Sequence, residues 1–126
     1  MPEIDWQLLR HRAAEVAANA HAPYSGLHVG AAGLTDDGRI LVGTNVENAS
    51  YGLTFCAEVS MVGALVSGGG GQLVAVVSCD DAGNYLSPCG RCRQILREIG
   101  GPDVAVNEVW TTESLLPGAF TGEDLP

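Results

Sequence analysis

Between residues 73 and 77 the chain reads Leu-Val-Ala-Val-Val, a continuous apolar run rich in β-branched side chains. A strand with one wet face alternates polar and apolar residues; an unbroken apolar run suits a strand covered on both faces. The neighbouring segments read as helices. From about Cys56 to Val66 the sequence is apolar nearly all round, which predicts a central, buried helix. From about Cys89 onward, Cys92, Ile95, Leu96 and Ile99 fall on one helical stripe, ended by Gly100-Gly101-Pro102. A strand and a helix followed by another strand at this spacing imply a right-handed crossover in a sheet covered by helices.

The remaining segments fill in the layers. An apolar stripe through Leu9, Ala13, Val16, Ala17 and Ala20 predicts a helix from about Asp5 to His21, with Asp5 as N-cap and Pro23 beyond its stop. Val29–Leu34 and Ile40–Val46, joined across Asp36-Asp37-Gly38, read as a hairpin. Val104–Val106 and Val109–Thr111 read as two short strands, followed by a closing segment around Leu115–Phe120. The order α-β-β-α-β-α-β-β predicts an α/β fold, a three-layer α-β-α sandwich on a mixed five-stranded sheet. The 126 residues form one domain, 1–126, enough for one core and too few for two.

Charge narrows the partners. Fifteen acids face six arginines and no lysine, a formal charge of -9. Polynucleotide binding needs clustered positive charge, so a nucleic-acid polymer is not expected and a small uncharged substrate is. The apolar stretches are far short of the ~20 residues that span a bilayer, and no secretory leader is visible. A cytoplasmic protein without membrane contact is expected. In a reducing compartment its four cysteines read as metal ligands or catalytic thiols before disulfides.

Two segments carry the chemistry: Cys56-Ala57-Glu58 and Pro88-Cys89-Gly90-Arg91-Cys92. Both fall at expected helix starts, where unpaired N–H groups and the positive end of the dipole favour thiolate. Cys89 and Cys92, spaced i, i+3, can chelate one ion, and Cys56 adds a third sulfur if the helix starts converge. Three protein ligands leave the fourth tetrahedral position of a zinc ion open for water. Cys-x-Glu with a later Pro-Cys-x-x-Cys is the known signature of zinc deaminases.

Over nearly its whole length the chain resembles the short, homotetrameric cytidine deaminases. The likeness lies in Pro23-Tyr24-Ser25, Val29-Gly30-Ala31-Ala32, Gly43-Thr44-Asn45-Val46-Glu47-Asn48, Ser50-Tyr51-Gly52, Pro88 to Gln94 and Leu115 to Phe120. The resemblance implies one Zn²⁺ per subunit on Cys56, Cys89 and Cys92, with Glu58 as proton shuttle. It implies that Asn45 and Glu47 hydrogen-bond the ribose, that Ala57 and Leu27 contact substrate, and that Phe120 and Tyr51 lie where a neighbouring subunit completes the site. The implied reaction is attack of zinc-activated hydroxide on C4 of cytidine or 2′-deoxycytidine, giving uridine or 2′-deoxyuridine for pyrimidine salvage.

Two positions depart from the family pattern. Val59 stands where many three-thiolate members carry an arginine, so Arg91 is expected to supply part of the missing positive charge. Leu27 stands where phenylalanine is frequent, filling volume without an aromatic edge. Other readings remain open at this level. A structural four-cysteine module would recruit Cys79, but it leaves Glu58 without a use. A thiol-disulfide oxidoreductase on Cys89 and Cys92 leaves Cys56 unexplained. A deaminase of modified or antibiotic nucleosides shares both cysteine segments, against which Asn45-Val46-Glu47-Asn48 favours a plain ribose or deoxyribose. Arg93 and Arg97 are expected on a solvated helix face, and His11, His21 and His28 in structural roles.

Overall fold

Asp5 starts the first helix as its position predicts: its carboxylate accepts the Leu8 amide at 3.0 Å, satisfying one of the helix's unpaired donors. In this computed structural model, which describes residues 2–126, the helix runs Trp6–Ala17 (α1) and buries Leu9, Ala13 and Ala17. It stops short of His21 because the His21 backbone is drawn into a parallel bridge with Val46. There the His21 amide donates to the Asn45 carbonyl at 3.2 Å and its carbonyl accepts the Glu47 amide at 2.8 Å. That bridge brings the chain before residue 29 alongside the segment that follows the second strand.

The expected hairpin forms from Val29–Thr35 (β1) and Ile40–Thr44 (β2), with Leu34 opposite Ile40. The apolar run extends into an eight-residue strand, Leu73–Asp80 (β3), antiparallel to β1 and buried over all but its last residue. After the helix Gly90–Gly100 (α3) the chain returns as Ala105–Val106 (β4), parallel to β3, and Trp110–Thr111 (β5), antiparallel to β4. The sheet order is β2-β1-β3-β4-β5, five-stranded and mixed.

Two apolar clusters make the layers. Leu9 and Ala13 of α1 pack on Ala32, Ala75 and Val77 on one face. On the other, Met61 and Leu65 of the helix Ala57–Ser67 (α2) and Leu96 of α3 pack on Ala31, Val76 and Val106. Burying side chains of this size stabilises the fold by roughly 1.5–3 kcal/mol each before entropy is counted. Gly43 lets α2 lie directly on β2. A Cβ there would collide with the Met61 amide nitrogen and come within 2.7 Å of Ser60 Cβ. Gly30 does the same for α1, whose Ala13 carbonyl occupies the space a side chain would need.

One expectation needs correction. Helix α2 is not buried all round: in the single chain Gly63, Ala64 and Val66 face outward, Val66 at 56% exposure. Its composition recorded apolarity, not what covers each face. The regular closing element is a single turn, Thr112–Leu115 (α4), capped reciprocally by Thr111 and Ser114; residues 116–120 form neither helix nor strand.

Candidate active site

The starts of α2 and α3 point at one another. Cys56 is the N-cap of α2 and Cys89 the N-cap of α3, and neither side chain is spent on capping its helix. Cys92 lies in the first turn of α3 and is buried. The Cys56 and Cys89 sulfurs are 3.6 Å apart, and all three Sγ atoms lie within 4.8 Å of one another. Sulfurs bound to one tetrahedral zinc at ~2.3 Å stand about 3.8 Å apart, so this trio fits the ion. All four cysteines are free thiols.

Of the three thiols, Cys56 is the one prepared for negative charge. The neighbouring Cys92 thiol lowers the Cys56 pKa to about 5 against the opposing effect of burial, with smaller help from Cys89 and Arg91. Cys92 is the converse: its place beside Cys56 holds its proton and pushes its pKa up. Arg91 is anchored for this purpose, its Nη2 donating to the Thr54 carbonyl at 2.8 Å.

Glu58, in the first turn of α2, is 4% exposed. Burial raises its pKa above the ordinary carboxylate value, and the adjacent Cys56 charge adds to the rise. It lines a cavity of about 330 Å³ together with Cys56, Ala57, Cys89, Asn45 and Leu27. Asn45 donates through Nδ2 to the Leu27 carbonyl at 2.8 Å and accepts the Val29 amide at 2.9 Å. It therefore fixes the cavity mouth, with one amide hydrogen and one lone pair left for a ligand.

A second cavity of about 340 Å³ adjoins the first at Thr54, which lines both; Glu47, Tyr24, Ser25 and Tyr51 form the rest. Glu47 accepts the amides of Tyr24 and Ser25 at 3.0 and 3.1 Å and the Ser25 hydroxyl. The hydroxyl is the largest cause of a pKa below the usual carboxylate value. Tyr51 is 76% exposed and meets Tyr24 edge to face at 6.1 Å. Phe120 is not brought to either cavity; it is 60% exposed, and its carbonyl accepts Gln94 Nε2 at 2.7 Å.

Cys79 stands apart from the trio, in the cluster on the α1 side of the sheet, its thiol 3.8 Å from the Arg10 carbonyl. Burial pushes its pKa up to about 11, the condition of an inert thiol. Among the described residues, the only group of metal-binding character that includes these sulfurs has three cysteines, which disfavours the four-sulfur module.

The two arginines expected on a solvated face are half-buried instead. Arg93 donates to the Pro88 carbonyl (2.9 Å), the Leu115 carbonyl (2.8 Å) and the Ser87 hydroxyl (2.9 Å). Arg97 Nε is buried with no hydrogen-bond partner. Helical spacing placed both on the polar side of α3 but gave no sign that the segments before Cys89 and around Leu115 fold over it.

Several residues at the site escaped the sequence reading: Thr54, Ser78, Leu86, Ser87 and Asn107. Asn107 is buried in a left-handed conformation, φ 48°. It accepts the Ser78 amide and donates to the Leu86 carbonyl, both at 2.9 Å, tying two walls of the first cavity together. Ser78 alone left a trace, as the first polar residue after the apolar run.

Comparison with known proteins agrees with this geometry. Residues 4–108 match the family described as the cytidine and deoxycytidylate deaminase zinc-binding region. The cytidine deaminase of Mycobacterium tuberculosis is 51% identical over 129 aligned residues, covering 100% of this chain and 97% of the relative. That of Halalkalibacterium halodurans is 40% identical, covering 97% and 98%. The crystal structure of the M. tuberculosis cytidine deaminase superposes with a TM-score of 0.91 at 50% identity, covering 94% of this chain and 98% of that one.

Proposed function

The chain belongs to the cytidine and deoxycytidylate deaminase family, and on that basis we propose that it hydrolyses cytidine and 2′-deoxycytidine to uridine and 2′-deoxyuridine with release of ammonia. The observation that carries this reading is the convergence of three free thiols beside one buried carboxyl on the wall of a nucleoside-sized cavity. Zinc, held by Cys56, Cys89 and Cys92, supplies a Lewis acid that brings the pKa of water from ~15.7 towards ~7.

The other work falls to the chain's own residues. Glu58 takes one proton from the attacking water and delivers it to pyrimidine N3, then takes the proton remaining on the new C4 hydroxyl and passes it to the departing amine, so that the C4–N bond breaks as C4=O forms. Its burial suits this task, since a carboxyl whose pKa is raised holds a transferred proton more readily than an exposed one. Ala57 and Leu27 border the base, and Asn45 offers its remaining amide hydrogen to the ribose. Glu47 takes the 3′-hydroxyl, exchanging one of its Ser25 contacts for it. Arg91 and the two helix starts offset the thiolate charge that would otherwise blunt the metal.

The functional unit is a homotetramer. Tyr51, Leu53, Val66 and Phe120 leave large apolar surfaces exposed in the single chain, the condition of residues that a second copy covers. Phe120 then closes a neighbour's cavity rather than its own. No helix among the described residues is long and apolar enough to cross a membrane. We place the reaction in cytoplasmic pyrimidine salvage. The test follows cytidine and deoxycytidine to their uracil products by ultraviolet absorbance. The zinc-loaded protein should turn over both, and Glu58→Gln should keep its zinc while kcat falls roughly 10²–10⁴-fold. A zinc-loaded protein inert toward both nucleosides would sink the reading.

A further inference from the structure

Side chains along β3 alternate between the faces of the sheet, so Ser78 shares the side of Val76, toward α2, while Val77 and Cys79 face α1. Ser78 is 2% exposed, and its hydroxyl has no hydrogen-bond partner. Such a group is a cost to the fold, and alanine in its place would remove that cost. The hydroxyl is not needed to hold the strand, since the Ser78 amide is already fixed by Asn107 Oδ1 at 2.9 Å. It lies on the wall of the cavity that holds Glu58, Cys56 and Cys89. Glu58 and Ser78 share that cavity wall, and the Ser78 hydroxyl makes no hydrogen bond to the carboxyl.

We propose that Ser78 is a positioning residue for Glu58: with a nucleoside in the cavity its hydroxyl pairs with the Glu58 carboxyl and keeps it turned toward the pyrimidine. A carboxyl that carries a proton alternates between two states. Ionised, it only accepts hydrogen bonds; protonated, it also donates. A backbone N–H or a cationic side chain can serve the first state alone, whereas a hydroxyl donates to one and accepts from the other. Ser78 therefore follows Glu58 through the transfer without a change of partner. The inference rests on Glu58 as the proton carrier.

The test is Ser78→Ala beside Ser78→Thr, each measured for kcat, KM, zinc content and Tm. For Ser78→Ala, kcat should fall about tenfold or more with KM within about twofold of wild type. Zinc content should stay full and Tm equal or higher, because a buried unpaired hydroxyl is gone. Ser78→Thr, which keeps the hydroxyl, should recover most of the lost kcat. An unchanged kcat in the alanine variant overturns the proposal. So does a loss accompanied by lower Tm or zinc content, which marks a structural role, or a loss carried by KM, which marks direct contact with the nucleoside. A threonine variant with wild-type Tm and no recovery also overturns it. Failure of wild type to deaminate cytidine would instead strike the functional reading, while the Tm comparison would still report on the hydroxyl.

Discussion

The sulfurs of Cys56 and Cys89 lie 3.6 Å apart although 33 residues separate them in sequence and each begins a different helix. Three sulfurs crowded in this way repel one another once ionised, so an ion bound among them joins α2 to α3. Removing zinc with a chelator should abolish turnover and lower Tm, and adding zinc back should restore both. Calorimetry with and without chelator checks this; a Tm indifferent to chelation would mean that the trio does not link the helices.

Arg91 should ease the ionisation of Cys56, adding to the larger effect of Cys92. Without its charge and its contact with Cys56, the Cys56 pKa should rise from about 5 toward the ordinary thiol value. In metal-free Arg91→Ala the thiolate absorbance should therefore appear at higher pH than in wild type. Zinc retention should weaken mainly under mildly acidic conditions, where proton and metal compete for sulfur. Superimposable thiolate titrations of the two proteins would remove Arg91 from this role.

The Ser25 contact makes Glu47 a source of pH-dependent stability. The folded-state pKa is depressed below 4.5, with the Ser25 hydroxyl as first cause. A depressed carboxyl stabilises the fold fully above its unfolded pKa and loses that contribution as pH falls through the folded value. The urea midpoint of Ser25→Ala should thus lie below that of wild type at about pH 6–8, and the gap should shrink below about pH 4.5. A gap that persists undiminished at about pH 2 would assign the effect to packing.

Arg93 holds the two residues that precede Cys89. With three hydrogen bonds from a half-buried guanidinium, Arg93→Ala should cost about 2 kcal/mol in urea unfolding. Because Pro88 leads into Cys89, zinc content should fall as well. Arg12→Ala on α1, across the sheet from Cys56, Cys89 and Cys92, serves as the control. A variant as stable as wild type with full zinc would return Arg93 to the solvated role its helical position first suggested.

What could be read from the sequence was whatever a local pattern encodes. The β3 run, the Asp36-Asp37-Gly38 hairpin, the Asp5 cap and the sulfur spacing each depend on residues a few positions apart, and each element forms near its expected place. Cys-x-Glu and Pro-Cys-x-x-Cys were legible because the helix start itself brings the ligands to bear. What escaped depends on distant segments meeting. Arg93 looked solvated because nothing in α3 reveals that Leu115 lies over it. Asn107 carries no motif, yet reaches back 29 residues to Ser78. Helix α2 read as enclosed because its composition does not tell a face that meets the sheet from one that is open in the single chain. The one-turn helix was readable after all, since Thr111 and Ser114 have capping-box spacing.

Gly43 contributes nothing to the reaction by its chemistry, only by its size. A methyl group at that position would collide with the Met61 nitrogen, and α2 would have to ride outward from β2. Cys56 and Glu58 travel with α2, while Cys89 and Cys92 stay with α3. The distance between one zinc-binding thiol and the proton carrier on one side and the paired thiols on the other is thus gauged by a single hydrogen atom, in a strand that lines neither cavity.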